Sequence, residues 1–251
     1  MLSTYNIYRF IYERWRGTLI SPKVAKLLNY FPEGLVNVVA RKIMNIIIKK
    51  YTTLEVKGIE NLNNIKKPVI FICNHLSNSD ALILDKVLKN QDVTYVAGVK
   101  LTQNSTTNIG VKFIKTTVLK PNCADKGGLI KIINIVKNGG NILLFPEGTR
   151  SRSGSMIEAK KGLLLIAKVT GAPIIPIGIY GTEKFLPIDD SGDMAAESFH
   201  HAKIGVSIGK QMVLEVKEQN EDKAEYEKSV LTTLMKGIST LIPESYRGVY
   251  K

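Results

Sequence analysis

The sequence predicts an α/β protein: a central, largely parallel β-sheet flanked by helices, preceded by an N-terminal amphipathic helical segment. Three observations carry this expectation. From about Thr52 onward, short apolar runs alternate with amphipathic helical stretches in repeated strand, helix, strand order. The 251 residues are 44% hydrophobic and 23% charged, a globular balance with enough apolar mass to bury one large core. Ahead of Thr52 the texture differs, being basic, aromatic-weighted and helical in period. The chain therefore divides into an N-terminal helical, membrane-interfacial segment over residues 1–51 and an α/β domain over residues 52–251.

Residues 3–17 place Ile7, Phe10, Ile11 and Trp15 at helical spacings of three and four, with Arg9, Arg14 and Arg16 among them. The stretch from Leu35 to Ile48 is richer in aliphatic residues, but Asn37, Arg41, Lys42 and Asn45 interrupt it. It falls short of the roughly 18 uninterrupted apolar residues of a spanning helix, so it is expected to lie on a membrane rather than cross it. The other reading is a helical layer packed against the core.

The expected strands are Thr53 to Val56, Pro68 to Cys73, Val93 to Ala97, Lys112 to Leu119, Asn141 to Phe145, Pro173 to Tyr180 and Lys203 to Ile208, with Met212 to Val216 as a possible last one. Helical patterns cover Ala81 to Lys89, Gly128 to Lys137, Ala159 to Val169 and Lys223 to Leu241. Gly181 to His201 reads as a long polar loop.

Composition narrows the partners. The 35 Lys and Arg against 22 Asp and Glu give a formal charge of +13, which predicts attraction to nucleic acid, an acidic carrier protein or an anionic membrane. No zinc finger, aromatic RNA-binding signature or heptad-linked basic region is present, so nucleic acid is not expected. Two cysteines, Cys73 and Cys123, make neither a disulfide framework nor a zinc site, which points to a reducing compartment. No secretory signal is read at the N-terminus.

Two stretches carry chemistry, each after an apolar run and hence at the strand ends where open α/β sheets gather ligands. In the first, Asn74-His75 is followed by Asp80. A neutral imidazole is a competent base near neutral pH, and a carboxylate on its second nitrogen fixes the tautomer. On a regular helix a spacing of five sets two side chains about 140° apart, so His75 and Asp80 meet only if the chain turns between them and a helix starts near Ser79. Ser77-x-x-Asp80 also fits a capping box, with Asp80 reaching back to the backbone. Cys73, Ser77 and Ser79 make poor nucleophiles; the attacking hydroxyl is expected to belong to the substrate.

The second stretch is Phe145-Pro146-Glu147-Gly148-Thr149-Arg150. Arginine offers a planar fork for phosphate, and glycine permits the close backbone approach that faces amides to an anion. Glu147 is expected to accept a hydroxyl hydrogen bond or to hold Arg150 in position. Phe31-Pro32-Glu33-Gly34 repeats the first four letters with no strand before it and no Thr-Arg after it, and reads instead as the first turn of a helix.

Taken together, Asn74-His75-x4-Asp80, Phe145-Pro146-Glu147-Gly148-Thr149-Arg150 and the Pro-x-x-Pro strand Ala172-Pro173-Ile174-Ile175-Pro176-Ile177 resemble the blocks of the 1-acyl-glycerol-3-phosphate acyltransferase family of glycerolipid acyltransferases. The resemblance implies acyl transfer from acyl-CoA or acyl-carrier protein to the free hydroxyl of a lysophospholipid, with 1-acyl-glycerol 3-phosphate as acceptor and phosphatidate as product. His75 would be the base and Asp80 its orienter. Lys120, Glu147, Gly148, Thr149 and Arg150 would make the site for the acceptor phosphate. Lys120 stands where the family usually has arginine, with Lys115 as an alternative register; lysine keeps the charge and loses the bidentate fork. No metal or bound redox cofactor is implied, and backbone amides near the His75 loop are the simplest oxyanion donors. An anionic membrane surface is the expected partner and the cytoplasmic face of the membrane the expected location, in peripheral or monotopic form. The alternatives are a non-catalytic lipid-binding module of the same fold, or an acyltransferase acting on another acceptor such as glycerol 3-phosphate.

Overall fold

The computed structural model describes residues 33–63, 65–99, 114–120, 125–190, 196–214 and 220–251. The expected basic helix over residues 3–17 and Cys123 lie outside these residues. A long helix α1 (Glu33–Tyr51) runs directly into β1 (Thr52–Lys57), followed by β2 (Ile70–Cys73), α2 (Asp80–Val87), β3 (Val93–Gly98) and β4 (Thr116–Leu119). Then come α3 (Lys126–Lys137), β5 (Asn141–Leu144), α4 (Gly162–Thr170), β6 (Ile174–Tyr180), a one-turn α5 (Thr182–Phe185), β7 (Ala202–Ile208) and α6 (Lys223–Ser239). The strands form one seven-stranded sheet in the order β1-β7-β6-β2-β5-β3-β4, and every neighbouring pair is parallel except β6 with β7. This is the largely parallel α/β sheet that the sequence predicts.

Direction of travel explains the layers. The β2-α2-β3 crossover moves one way along the sheet, whereas β4-α3-β5 and β5-α4-β6 move the other way. Right-handed crossovers therefore put α2 on one face and α3 and α4 on the other. The core divides accordingly. Val69, Phe71 and Cys73 pack with Ile83 and Leu84 of α2 and with Ile43, Ile47 and Ile48 of α1. Their alternating neighbours Ile70 and Ile72 pack with Ile132 of α3, Leu163 and Ile166 of α4 and Leu234 and Ile238 of α6. Strands buried on both faces read as continuous apolar runs, which is why Ile70–Cys73 and Asn141–Leu144 stand out in the sequence.

Helix α1 belongs to this core. One face buries Val39, Ala40, Ile43, Met44, Ile47 and Ile48, while Arg41, Lys42, Lys49 and Lys50 stay exposed together with Val38 and Ile46. Residues 33–51 thus share the core of the sheet, as in the second of the two readings of that stretch. No described helix is long and apolar enough to cross a membrane.

Three expectations need correction. Among the described residues of the long polar loop expected over Gly181 to His201, a one-turn helix forms and Thr182, Phe185, Leu186, Glu197 and Phe199 are buried, with the rings of Phe185 and Phe199 meeting at 5.0 Å. Of the possible strand Met212 to Val216, residues 215 and 216 lie outside the described residues, and Met212 forms an isolated bridge with Ile174 through a single pair of backbone bonds. Helix α4 starts at Gly162 rather than Ala159; ahead of it the amides of Ala159 and Lys160 donate to Tyr250 Oη and Pro146 O.

Candidate active site

Strands β2 and β5 are parallel neighbours with Ile72 opposite Leu144, so the residues that follow them emerge side by side. Their onward connections leave toward opposite edges of the sheet. Such a point is where the carboxyl ends of an α/β sheet open a crevice.

After Cys73 the chain leaves the sheet through Asn74, whose buried amide takes the place of one more rung. Asn74 Nδ2 donates to Ile179 O at 2.8 Å, and Ile179 N donates to Asn74 Oδ1 at 2.9 Å, which continues the pairing of β2 with β6 beyond its last backbone partners. This reciprocal pair fixes the residue before His75. Residues 74–79 are irregular and α2 begins at Asp80, so the chain makes the turn that a His75–Asp80 contact requires.

His75 Nδ1 lies 2.8 Å from Asp80 Oδ2. The same oxygen accepts from Leu76 N at 2.7 Å and from Ser77 N at 2.9 Å. The backbone-capping and imidazole-holding readings of Asp80 are therefore both correct, and one oxygen does both. An acceptor at Nδ1 selects the tautomer with its proton there and leaves the Nε2 lone pair free. The imidazole stacks on the Phe145 ring, with centroids 4.1 Å apart and planes 16° from parallel, and 18% of its side chain remains exposed. The three candidate nucleophiles nearby are all withdrawn. Cys73 is fully buried and its thiol pKa is pushed well up, first by burial and then by the charges of Asp80 and Glu147. Ser77 Oγ donates to Leu186 O at 2.7 Å and sits 3.0 Å from Ser79 Oγ, both out of solvent.

Glu147 has a different task from the one the sequence suggests. It does not touch Arg150 and cannot serve as a phosphate ligand, because it is buried and both oxygens are taken by backbone: Oε1 by His75 N at 2.9 Å, Oε2 by Ile157 N at 3.0 Å. Burial, opposed by these two bonds and reinforced by the charge of Asp80, raises its pKa to about 7. In return, Ser151 N donates to His75 O at 2.8 Å. Both backbone groups of His75 are thus held by the second motif.

The rest of that motif forms a rim. Gly148 and Thr149 are exposed, and Gly148 has φ 70°, a left-handed conformation that favours glycine. Lys160 lies across it: a Cβ on Gly148 would stand 3.2 Å from Lys160 Cγ. Arg150 is 16% exposed and its Nη1 pairs at 2.5 Å with Glu197, whose other oxygen accepts from Asn78 Nδ2 at 2.8 Å. Asn74 is quoted in the first motif without a task, and Glu197 is the residue that sequence reasoning missed. An asparagine directly after an apolar strand was the available sign of the first; no local pattern marks the second.

Lys120 follows β4 on the same sheet edge, but β3 lies between β4 and β5, which sets it about 10 Å from β5 by strand spacing. Lys115 is excluded as its alternative. It precedes β4, at the opposite edge, and bonds Asp92 at 2.9 and 3.0 Å. The amides near the His75 loop are largely committed as well: those of His75, Leu76, Ser77 and Ser79 all donate within the protein. The expectation that they form an oxyanion hole is thereby narrowed to the few that remain.

The fold and site define a class: an α/β protein carrying an imidazole–carboxylate pair and an arginine at one switch point, with Cys73, Ser77 and Ser79 buried beside the imidazole. The acyltransferase family profile matches residues 53–180, and the chain belongs to that family. It is similar to the 1-acyl-sn-glycerol-3-phosphate acyltransferase BAT2, chloroplastic, of Brassica napus, 29% identical over 68% of this chain and 48% of that one. It is also similar to the 1-acyl-sn-glycerol-3-phosphate acyltransferase of Borreliella burgdorferi, 33% identical over 52% of each. The chain spans about half the length of these relatives. The crystal structure of the 1-acyl-sn-glycerophosphate acyltransferase PlsC from Thermotoga maritima shares the fold, with a TM-score of 0.57 over 93% of this chain and 94% of that one at 23% identity.

Proposed function

We propose that this chain moves a fatty acyl group from a thioester, acyl-CoA or acyl-carrier protein, to the free hydroxyl of a lysophospholipid, with 1-acyl-glycerol 3-phosphate as acceptor and phosphatidate as product. The observation that carries the reading is the 2.8 Å contact of His75 Nδ1 with a buried carboxylate oxygen that two further backbone amides hold in place. The activity for which the relatives are named supports the acceptor.

In this reading Nε2 of His75 takes the hydroxyl proton as the acceptor oxygen attacks the thioester carbon. Asp80 Oδ2 stabilises the imidazolium. Collapse of the tetrahedral intermediate breaks the C–S bond, and the imidazolium returns its proton to the departing thiolate. The acyl group passes directly to the acceptor, since Cys73, Ser77 and Ser79 are buried. Arg150 takes the acceptor phosphate, with Gly148 and Thr149 forming the rim and the positive charge of Lys120 and Lys160 nearby. The basic outer side of α1 supports a peripheral position on the anionic cytoplasmic face of a membrane.

The test is thioester release with both donor types across lysophosphatidate, glycerol 3-phosphate and neutral lysolipids. Lysophosphatidate should be preferred, and His75→Ala should lower turnover by about 10³-fold while leaving lysophosphatidate binding intact. Full turnover in the His75→Ala protein would remove the mechanism. Absence of thioester consumption with every acceptor would favour a lipid-binding module.

A further inference from the structure

The acyl-transfer reading gives Glu197 no task, yet it is a deeply buried charge paired with the arginine of the rim. Only 1% of its side chain is exposed, and it lies 47 residues beyond Arg150 in the chain. Its two oxygens serve two different segments. Oε1 accepts from Arg150 Nη1 at 2.5 Å, and Oε2 accepts from Asn78 Nδ2 at 2.8 Å, three residues after His75. One carboxylate therefore joins the turn that builds the base to the arm that offers the cation.

Described residues before and after it in the chain are held. On one side of Glu197, Leu186 O accepts from Ser77 Oγ at 2.7 Å. On the other, His200 N donates to Phe185 O at 2.8 Å, and the Phe199 ring packs on Phe185. Arg150 is less enclosed than its partner. Among the described residues only its Nη1 is hydrogen-bonded, so Nε and Nη2 keep their N–H groups for an incoming oxyanion.

A carboxylate here could act in two ways. It could compete with the acceptor phosphate for the guanidinium and have to be displaced, or it could brace the guanidinium for the phosphate. Displacement would pull a buried carboxylate away from two donors at once and would leave it unpaired. Bracing needs no movement. It also removes the rotamer freedom of a long side chain before the acceptor arrives.

We propose that Glu197 is a positioning residue for the acceptor: it fixes the free edge of Arg150 and, through Asn78, sets that edge in register with His75, so that one lysophospholipid can meet both. The inference rests on the reading of Arg150 as the phosphate arm.

Steady-state kinetics of the purified full chain test it, with lysophosphatidate and acyl-CoA varied in turn, for the wild type, Arg150→Lys, Glu197→Gln and Glu197→Asp. Glutamine keeps the size and can accept only one of the two bonds; aspartate keeps the charge on a shorter arm. Both Glu197 variants should raise KM for lysophosphatidate about tenfold and leave KM for acyl-CoA within about twofold, with kcat falling less than kcat/KM for the acceptor. If Glu197→Gln does not fold, the same criterion applies to Glu197→Asp. A lower KM for lysophosphatidate would identify Glu197 as a competitor and overturn the proposal. An unchanged KM accompanied only by a lower melting temperature would reduce it to a structural brace and also overturn it. A wild type that acylates no lysolipid, or an Arg150→Lys variant with unchanged acceptor KM, would overturn the underlying reading of Arg150 and the proposal with it. An effect of Arg150→Lys without any effect at Glu197 would overturn the proposal alone.

Discussion

The two halves of the site are built differently. The His75–Asp80 turn closes on itself within six residues: Asp80 Oδ2 collects three N–H donors, Ser77 and Ser79 bond each other, and all but His75 and Asn78 are buried. The stretch after β5 is open by contrast, with Gly148 and Thr149 exposed and Arg150 held from a segment far along the chain. The difference suits the two proposed tasks. A base must be presented to its proton within a few tenths of an ångström, whereas a phosphate arm must stay accessible to a ligand that arrives from outside.

The contrast can be broken most sharply at Asp80. Asp80→Asn should lower kcat by about 10³-fold, because an amide nitrogen set against Nδ1 favours the wrong tautomer while the backbone turn is partly kept. A loss of stability with kcat preserved would make Asp80 a capping residue only.

Glu147 tests whether the open half serves the closed one. Its folded pKa of about 7 lies above the ordinary 4.5, so the folded protein holds a proton that the unfolded chain has released between those values. The stability this contributes is complete below pH 4.5 and is lost as pH rises through 7. Measured by urea unfolding, the stability of the wild type relative to the non-titrating Glu147→Gln should fall by about 3 kcal/mol between pH 4 and pH 8. A difference independent of pH would show that Glu147 does not titrate in this window.

The smallest effect is expected at the rim. Arg150→Lys retains the charge and loses the fork, so KM for a phosphate-bearing acceptor should rise about tenfold, with little change for the acyl donor. An equal effect on acceptors without phosphate would detach Arg150 from the head group.

What could be read in the sequence follows the same division. The doubly buried strands announce themselves as apolar runs, and the spacing of His75 and Asp80 already demanded the bend now seen, because both features are local. The family resemblance puts Glu147 in the phosphate site, and its own position suggests a hydroxyl or Arg150 as its partner. Its actual partners are backbone amides, which no side-chain pattern encodes. Asn74 became intelligible only when β6 lay beside β2. Glu197 fell in a stretch whose letters look polar and aperiodic, although Phe185, Leu186 and Phe199 bury it. Lys115 and Lys120 could be told apart only by knowing which end of β4 faces the crevice.

The stitching of His75 between Glu147 and Ser151 bears on how such a protein can change over time. Parallel strands need no short connection, so the pairing of β2 with β5, and not the length of chain between them, fixes how far apart the two halves stand. Extra residues at the exposed turn of Lys89 and Asn90 would lengthen the path from one half to the other without altering their spacing. Descendants of this sequence are free to grow there and are held to a single register at the crevice.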